Sequence, residues 1–201
     1  MITIVDYGMG NLGSIVNMFK RIGITTQVSA SKDVIEKSTK LLLPGVGAFD
    51  SAMNSINNSG LRDVLDYKAL EDKIPVLGIC LGMQLLTSGS EEGKLPGLNW
   101  IPAITRKFPQ NGTLKIPHMG WNAVQPCIGS KLTKYLEDEA RFYFVHSYYV
   151  TVEDEKDSVY KATHGIEFDA AINHKNIYGV QFHPEKSHKF GMRLLSNFGE
   201  L

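Results

Sequence analysis

The sequence predicts an α/β fold: a mostly parallel central sheet with helices on both faces and an appended section of antiparallel strands. Three observations carry this. Between residues 2 and 86, short apolar runs alternate with segments of helical periodicity, the pattern of successive βα units. Three of those runs lead directly into glycine-containing turns. From Trp100 onward the texture changes to closely spaced strand-like pieces with few helices, which fits antiparallel strands added to a parallel sheet.

Residues 2–6 read as the first strand, and a glycine-rich turn opens a helix through residue 22, closed by Gly23. The turn contains a literal G-x-G-x-x-G at Gly8, Gly10 and Gly13, the form of a dinucleotide fingerprint. The second strand, residues 25–29, should then end in an acid for the ribose. It ends in Ser29-Ala30-Ser31, with Asp33 too late, and the chain leaves no room for a separate substrate domain. A tight turn packing helix on strand is the better reading. Residues 40–43 form another apolar strand, followed by Pro44-Gly45-Val46-Gly47-Ala48-Phe49, which is either an ordinary turn or a concavity of backbone N–H groups suited to an anion. Residues 50–56 and 61–70 look helical with a polar face.

The next apolar run, residues 74–79, enters Gly78-Ile79-Cys80-Leu81-Gly82 and then a helix-forming stretch through Leu86. Strand, Gly-x-Cys-x-Gly and helix make a nucleophile elbow, in which flanking glycines permit the sharp turn and the middle side chain is pushed out at the sheet edge. A cysteine at a helix N-terminus sits in a positive partial charge that favours thiolate. Buried cysteines are also common as inert packing, so a base elsewhere must decide. Ser90-Glu91-Glu92-Gly93 ends the alternation. Strands are expected over residues 100–108, 113–116, 141–145, 148–152, 158–162 and 166–173, with helices only at 130–136 and 188–198.

The last apolar strand, residues 177–182, runs into His183-Pro184-Glu185. Two residues apart in an extended segment, the imidazole and carboxylate lie on one side of the chain, which suits an acid that orients a base. A solvated loop pair is the plainer alternative, but a cysteine at the end of one strand lacks a base and this histidine follows another. The other histidines have no comparable adjacent acid, and none shows metal-ligand spacing.

At 201 residues the chain is most simply one domain, 1–201. Twenty-one Lys and Arg balance 21 Asp and Glu without long runs of one sign, which argues against nucleic acid or an anionic membrane as the main partner. Cys80 and Cys127 are too few for a disulfide framework and fit a reducing compartment. No basic leader precedes the first strand and no apolar run approaches membrane-spanning length, so a soluble cytoplasmic protein is expected.

Taken together, Gly78-Ile79-Cys80-Leu81-Gly82-Met83-Gln84 and His183-Pro184-Glu185 resemble the class I (triad) glutamine amidotransferase domain, with its flavodoxin-like fold. The resemblance runs from end to end. Asp6-Tyr7-Gly8-x-Gly10-Asn11, Pro44 to Phe49, Pro117-His118-Met119-Gly120-Trp121-Asn122, Phe144-Val145-His146-Ser147-Tyr148 and Gly179 to Ser187 are similar to the glutaminase subunits of imidazole glycerol phosphate synthases. Two positions depart from that pattern, Gly13 (commonly arginine) and Ala103 (commonly glycine). Neither touches the chemistry, and both leave open a near relative supplying ammonia to a sugar amidotransferase in surface-polysaccharide synthesis.

The resemblance implies a Cys80, His183 and Glu185 triad that hydrolyses glutamine to glutamate and ammonia through a thioester, with no cofactor and no metal. It implies oxyanion donors from Leu81 N–H and the Gly45-Val46-Gly47 turn, and a glutamine subsite at Gln84, Glu92, Ser147 and Tyr148. Met119, Trp121 and Lys186 are where it puts the contact with a separate synthase subunit, a (β/α)₈-barrel cyclase of histidine biosynthesis, in a heterodimer. It also implies weak glutaminase activity until that partner binds its own ligand. Two other classes compete: a self-sufficient cysteine hydrolase of the same fold, such as a peptidase or deglycase, and a nucleotide-binding module resting on Gly8, Gly10 and Gly13.

Overall fold

The computed structural model describes residues 1–109, 114–136 and 139–201. In chain order, β1 (Ile2–Val5) leads into α1 (Leu12–Arg21), β2 (Thr26–Ser29), α2 (Lys32–Glu36), β3 (Leu41–Leu43), α3 (Phe49–Asn58) and α4 (Arg62–Asp66). After α4 the chain continues as a π-helical turn, Tyr67–Glu71, before β4 (Val76–Ile79) and α5 (Leu81–Leu85). The second half contributes β5 (Ala103–Lys107), β6 (His118–Ala123), β7 (Gln125–Pro126), β8 (Arg141–His146), β9 (Tyr148–Val152), β10 (Ser158–His164), β11 (Ile166–His174), β12 (Ile177–Val180) and the C-terminal α6 (His188–Glu200).

Five strands run parallel in the order β2-β1-β3-β4-β12. From β12 the sheet turns antiparallel through β11 and β10 to β7, with β9 and β5 attached beside β11. Four of the parallel strands, β1, β3, β4 and β12, are buried on both faces, with β2 a half-exposed edge, and their alternating side chains feed two cores. Ile2, Ile4, Leu42, Leu77 and Ile79 join Phe19, Phe142, Phe182, Leu194 and Phe198 on the side of α1 and α6. Val5, Leu41, Leu43 and Val76 join Phe49, Met53, Ile56, Leu65 and Leu85 on the side of α3, α4 and α5. Among the described residues no helix is long and apolar enough to cross a membrane.

The expected architecture is present, with local differences. The strand expected at 113–116 is absent from 114–116, and Thr113 lies outside the described residues. The strand in that region is β6, displaced past Pro117, and among the described residues it pairs only with β8 as a two-stranded ribbon beside the main sheet. The helix expected at 130–136 is a single 3₁₀ turn, Lys131–Thr133, capped by the Ser130 hydroxyl accepting from Leu132 N–H. The strand expected at 100–108 contracts to β5, and α2 was not foreseen.

Candidate active site

Cys80 lies between β4 and α5 with φ +54° and ψ −109°, a left-handed conformation that costs a non-glycine residue on the order of 1–3 kcal/mol. The turn is tight enough to need both flanking glycines. A Cβ at Gly78 would stand 2.5 Å from the Gly82 carbonyl oxygen, and one at Gly82 would stand 1.9 Å from the carbonyl oxygen of Leu43 in β3. The sulfur is thereby delivered to the carboxyl edge of the sheet, where its residue is only 6% exposed.

The base arrives from the neighbouring strand. β4 and β12 pair in parallel with Ile79 beside Val180, and Cys80 N–H donates to the Val180 carbonyl at 2.7 Å. Both chains leave the sheet at the same edge, which brings His183 to Cys80. The turn carrying His183 is fastened to β8, with His183 N–H donating to the Tyr143 carbonyl at 2.8 Å and the Ser187 hydroxyl accepting from Tyr143 N–H at 3.0 Å. His183 Nδ1 meets Glu185 Oε1 at 2.8 Å, with both side chains almost fully buried.

Burial alone would lower the His183 pKa. Hydrogen-bonding and charge interactions with Cys80 and Glu185 outweigh it and push the imidazole up to about 10. His183 Nε2 nonetheless has no partner of proper hydrogen-bond geometry among the described residues, nor does Glu185 Oε2. The ring therefore retains one nitrogen, Nε2, free to pass a proton beside the sulfur.

A second histidine, His146, also faces the sulfur's cavity but is driven the other way. Its Nδ1 donates to the Tyr148 carbonyl at 2.7 Å, so its Nε2 is the acceptor for His118 Nδ1 at 2.9 Å. Burial, reinforced by His118, His164 and His183, holds it down to about 3, and burial likewise holds His118 down to about 4. The two rings beside Cys80 thus divide: His183 carries the proton and His146 stays neutral.

The cavity over Cys80 measures about 370 Å³, a size typical of small-molecule sites. Val46, Gly47, Leu81, Gln84, Glu92, Ser147 and Tyr148 all line it, so the sequence-predicted subsite residues converge on one space. Gln84 Nε2 donates to the Tyr148 carbonyl at 3.3 Å and to Gln181 Oε1 at 3.1 Å. Glu92 Oε2 accepts from Phe49 N–H at 3.1 Å, and burial raises the Glu92 pKa despite that bond.

One expectation is altered. Leu81 N–H is not free to face the cavity; it donates to the Gly45 carbonyl at 3.4 Å, because the Gly45-Val46 peptide points its oxygen toward α5. Gly45 itself does not line the cavity, and the turn is further fixed by the buried Tyr7 hydroxyl donating to the Pro44 carbonyl. Gly8 and Gly10 lie in the link from β1 to α1 and Gly13 in the first turn of α1, and Gly10 packs on Pro44 and Gly45.

Met119 and Trp121 stand on the outer side of β6, 62% and 47% exposed. Trp121 stacks on His188 at 5.4 Å and meets Tyr143 edge-on, and Lys186 Nζ lies 5.5 Å from the same Tyr143 ring. The three residues expected at a partner contact therefore share one surface. The sequence reading passed over His146 and Gln181. Gln181 Nε2 lies 3.6 Å from the Cys80 sulfur, and its place two residues before His183, on the same side of an extended segment, was the available signal.

Comparison with known proteins agrees with this geometry. A profile of the family described as glutamine amidotransferase class-I matches residues 3–200. The chain is 54% identical to the imidazole glycerol phosphate synthase subunit HisH 2 of Methanococcus maripaludis, over 98% of each chain. It is 50% identical to the imidazole glycerol phosphate synthase subunit HisH of Bdellovibrio bacteriovorus, over 100% of each. Among solved structures, a glutamine amidotransferase superposes with a TM-score of 0.79 at 16% identity, covering 100% of this chain and 98% of the other. With the profile spanning nearly every residue and full-length relatives at half identity, the chain belongs to the class-I glutamine amidotransferase family.

Proposed function

We propose that this chain is the glutaminase subunit of an imidazole glycerol phosphate synthase, releasing ammonia from glutamine at Cys80 for a separate synthase subunit in histidine biosynthesis. The observation that carries the chemistry is the strained Cys80 beside the buried, protonated His183–Glu185 pair. The pathway rests on the full-length relatives named above. In this reading residues 1–201 act as one domain in the cytoplasm, and the synthase subunit is a (β/α)₈-barrel cyclase joined in a heterodimer.

The Cys80 thiolate attacks the side-chain amide carbon of glutamine, placing negative charge on the carbonyl oxygen. His183 gives its proton to the departing nitrogen, which leaves as ammonia, and a thioester remains. Neutral His183 then takes a proton from water as the water oxygen attacks. The C–S bond breaks with its electron pair returning to sulfur, and glutamate departs. Glu185 holds the ring through Nδ1 so that Nε2 does this work. The charged oxygen is met by Leu81 N–H and by an N–H of the Gly45-Val46-Gly47 turn once the Gly45 carbonyl swings away. That requirement gives a physical reason for weak activity before the partner is engaged, since one lost donor costs about 10²–10³ in rate.

A diazoketone analogue of glutamine tests the reading. Mass spectrometry should find one adduct, on Cys80, whose formation glutamine suppresses; an adduct confined to other residues, or none, would overturn it.

Glu92 is assigned to the substrate ammonium. Glu92→Gln is expected to raise the glutamine KM about 10- to 100-fold with little change in kcat, the loss of one charged hydrogen bond. Because burial raises the Glu92 pKa, the parent enzyme should lose glutamine affinity as pH falls toward the acid range, and the variant should lack that dependence. Steady-state kinetics from pH 5 to 8 measure both.

Met119, Trp121 and Lys186 are assigned to the synthase subunit. Buried aromatic anchors carry much of an interface's energy, so Trp121→Ala should weaken heterodimer formation by about 30-fold or more, read by calorimetry, while leaving the isolated chain's melting temperature within a few degrees.

A further inference from the structure

We propose that Gln181 is a catalytic residue whose side-chain amide donates a hydrogen bond to the Cys80 sulfur and holds it as the thiolate. The inference rests on Cys80 being the nucleophile. Gln181 is fully buried just past β12, the strand that pairs with β4, and two residues before His183. Its Nε2 lies 3.6 Å from Sγ.

The direction of that amide is set by a fixed acceptor. The Tyr148 backbone carbonyl can only accept, and it takes His146 Nδ1–H at 2.7 Å and Gln84 Nε2–H at 3.3 Å, one for each lone pair. Gln84 must therefore turn its NH₂ inward, and the second hydrogen of that NH₂ goes to Gln181 Oε1 at 3.1 Å. With its oxygen committed to Gln84, Gln181 has only its NH₂ left for the sulfur. A flip would set two NH₂ groups against each other at Gln84 and aim a carbonyl oxygen at the nucleophile.

The two protonation states of Cys80 find different partners. A thiol can donate toward the Val145 carbonyl at 3.9 Å, a long contact even for sulfur. A thiolate accepts from Gln181 and faces the charged His183. Hydrogen bonds to ionised groups are roughly twice as strong as neutral ones, so a donor fixed at Sγ favours the charged form. The same donor serves the second half of the reaction. When the thioester collapses and the C–S electron pair returns to sulfur, the Gln181 N–H already faces the atom that receives it.

Gln181→Leu removes the donor, and Gln181→Asn keeps a polar amide in the buried site but is too short to span Gln84 and the sulfur. The test is iodoacetamide alkylation of Cys80 as a function of pH in the full chain, followed by mass spectrometry of the Cys80 peptide in a Cys127→Ser background. Both variants should move the rise of alkylation with pH up by about one unit, equivalent to about 1.4 kcal/mol, so that on the rising limb they alkylate about tenfold more slowly than the parent. An architectural role alone would lower the melting temperature and shift KM while leaving the alkylation profile in place. A parent-like profile in a folded Gln181→Leu protein overturns the proposal; should that variant not fold, Gln181→Asn decides by the same criterion. If complete Cys80 alkylation leaves glutamine hydrolysis intact, it is the nucleophile assignment that falls. If alkylation abolishes hydrolysis and the variants match the parent, only the role of Gln181 falls.

Discussion

Cys80→Ala should reduce glutamine hydrolysis by about 10⁴-fold or more, to the background rate, while leaving the fold and partner binding in place. The thioester has no other sulfur to form on, since Cys127 is exposed away from the cavity. His183→Gln should cost nearly as much, because without the imidazole the leaving nitrogen departs unprotonated. The double variant should be no worse than either single one, as expected of groups that act as a unit. Glu185→Gln should cost less, roughly 10²–10⁴, since it disturbs the ring's orientation and charge but leaves the proton carrier. Ammonia release by the complex of both subunits is the measurement. Hydrolysis by Cys80→Ala at even a few per cent of the parent rate would refute the assignment.

The second large effect falls on the fold. Gly82→Ala should destabilise the chain by about 3 kcal/mol or more and lower the melting temperature by roughly 6–12 °C. The new Cβ would lie 1.9 Å from the Leu43 carbonyl oxygen, a backbone atom with no rotamer to escape into, so α5 must move off β3. Activity should fall with it, because Cys80 and the Pro44 turn are both anchored to those elements. Gly13→Ala is the control: its Cβ would meet nothing closer than 3.9 Å in α1, and stability should hold or rise slightly. Calorimetry of the three proteins settles the comparison, and a Gly82→Ala protein within 1 kcal/mol of the parent would show that the elbow is looser than it looks.

The elbow was legible because glycine spacing reports directly on crowding, and the apolar runs around it have the length of buried strands. His183 and Glu185 were legible because their chemistry complements a cysteine that lacks a base. β6 was not, since Pro117 before it and Gly120 within it break the strand pattern, and its pairing with β8 is a long-range event. Gln181 was hidden by its type: a glutamine at the end of an apolar run reads as a solvent-facing side chain until its burial is known. The bond from Leu81 N–H to the Gly45 carbonyl could not be read at all, because residue identities do not encode which way a glycine peptide faces.

The ribbon of β6 and β8 has one more consequence. Met119 sits opposite Val145 in that ladder, and Val145 borders the space above the sulfur. Paired residues are only about 5 Å apart, so a side chain standing in the open at Met119 is one cross-strand step from the lining of the site. Whatever molecule rests against Met119 touches a residue whose cross-strand neighbour lines the space where the product is released.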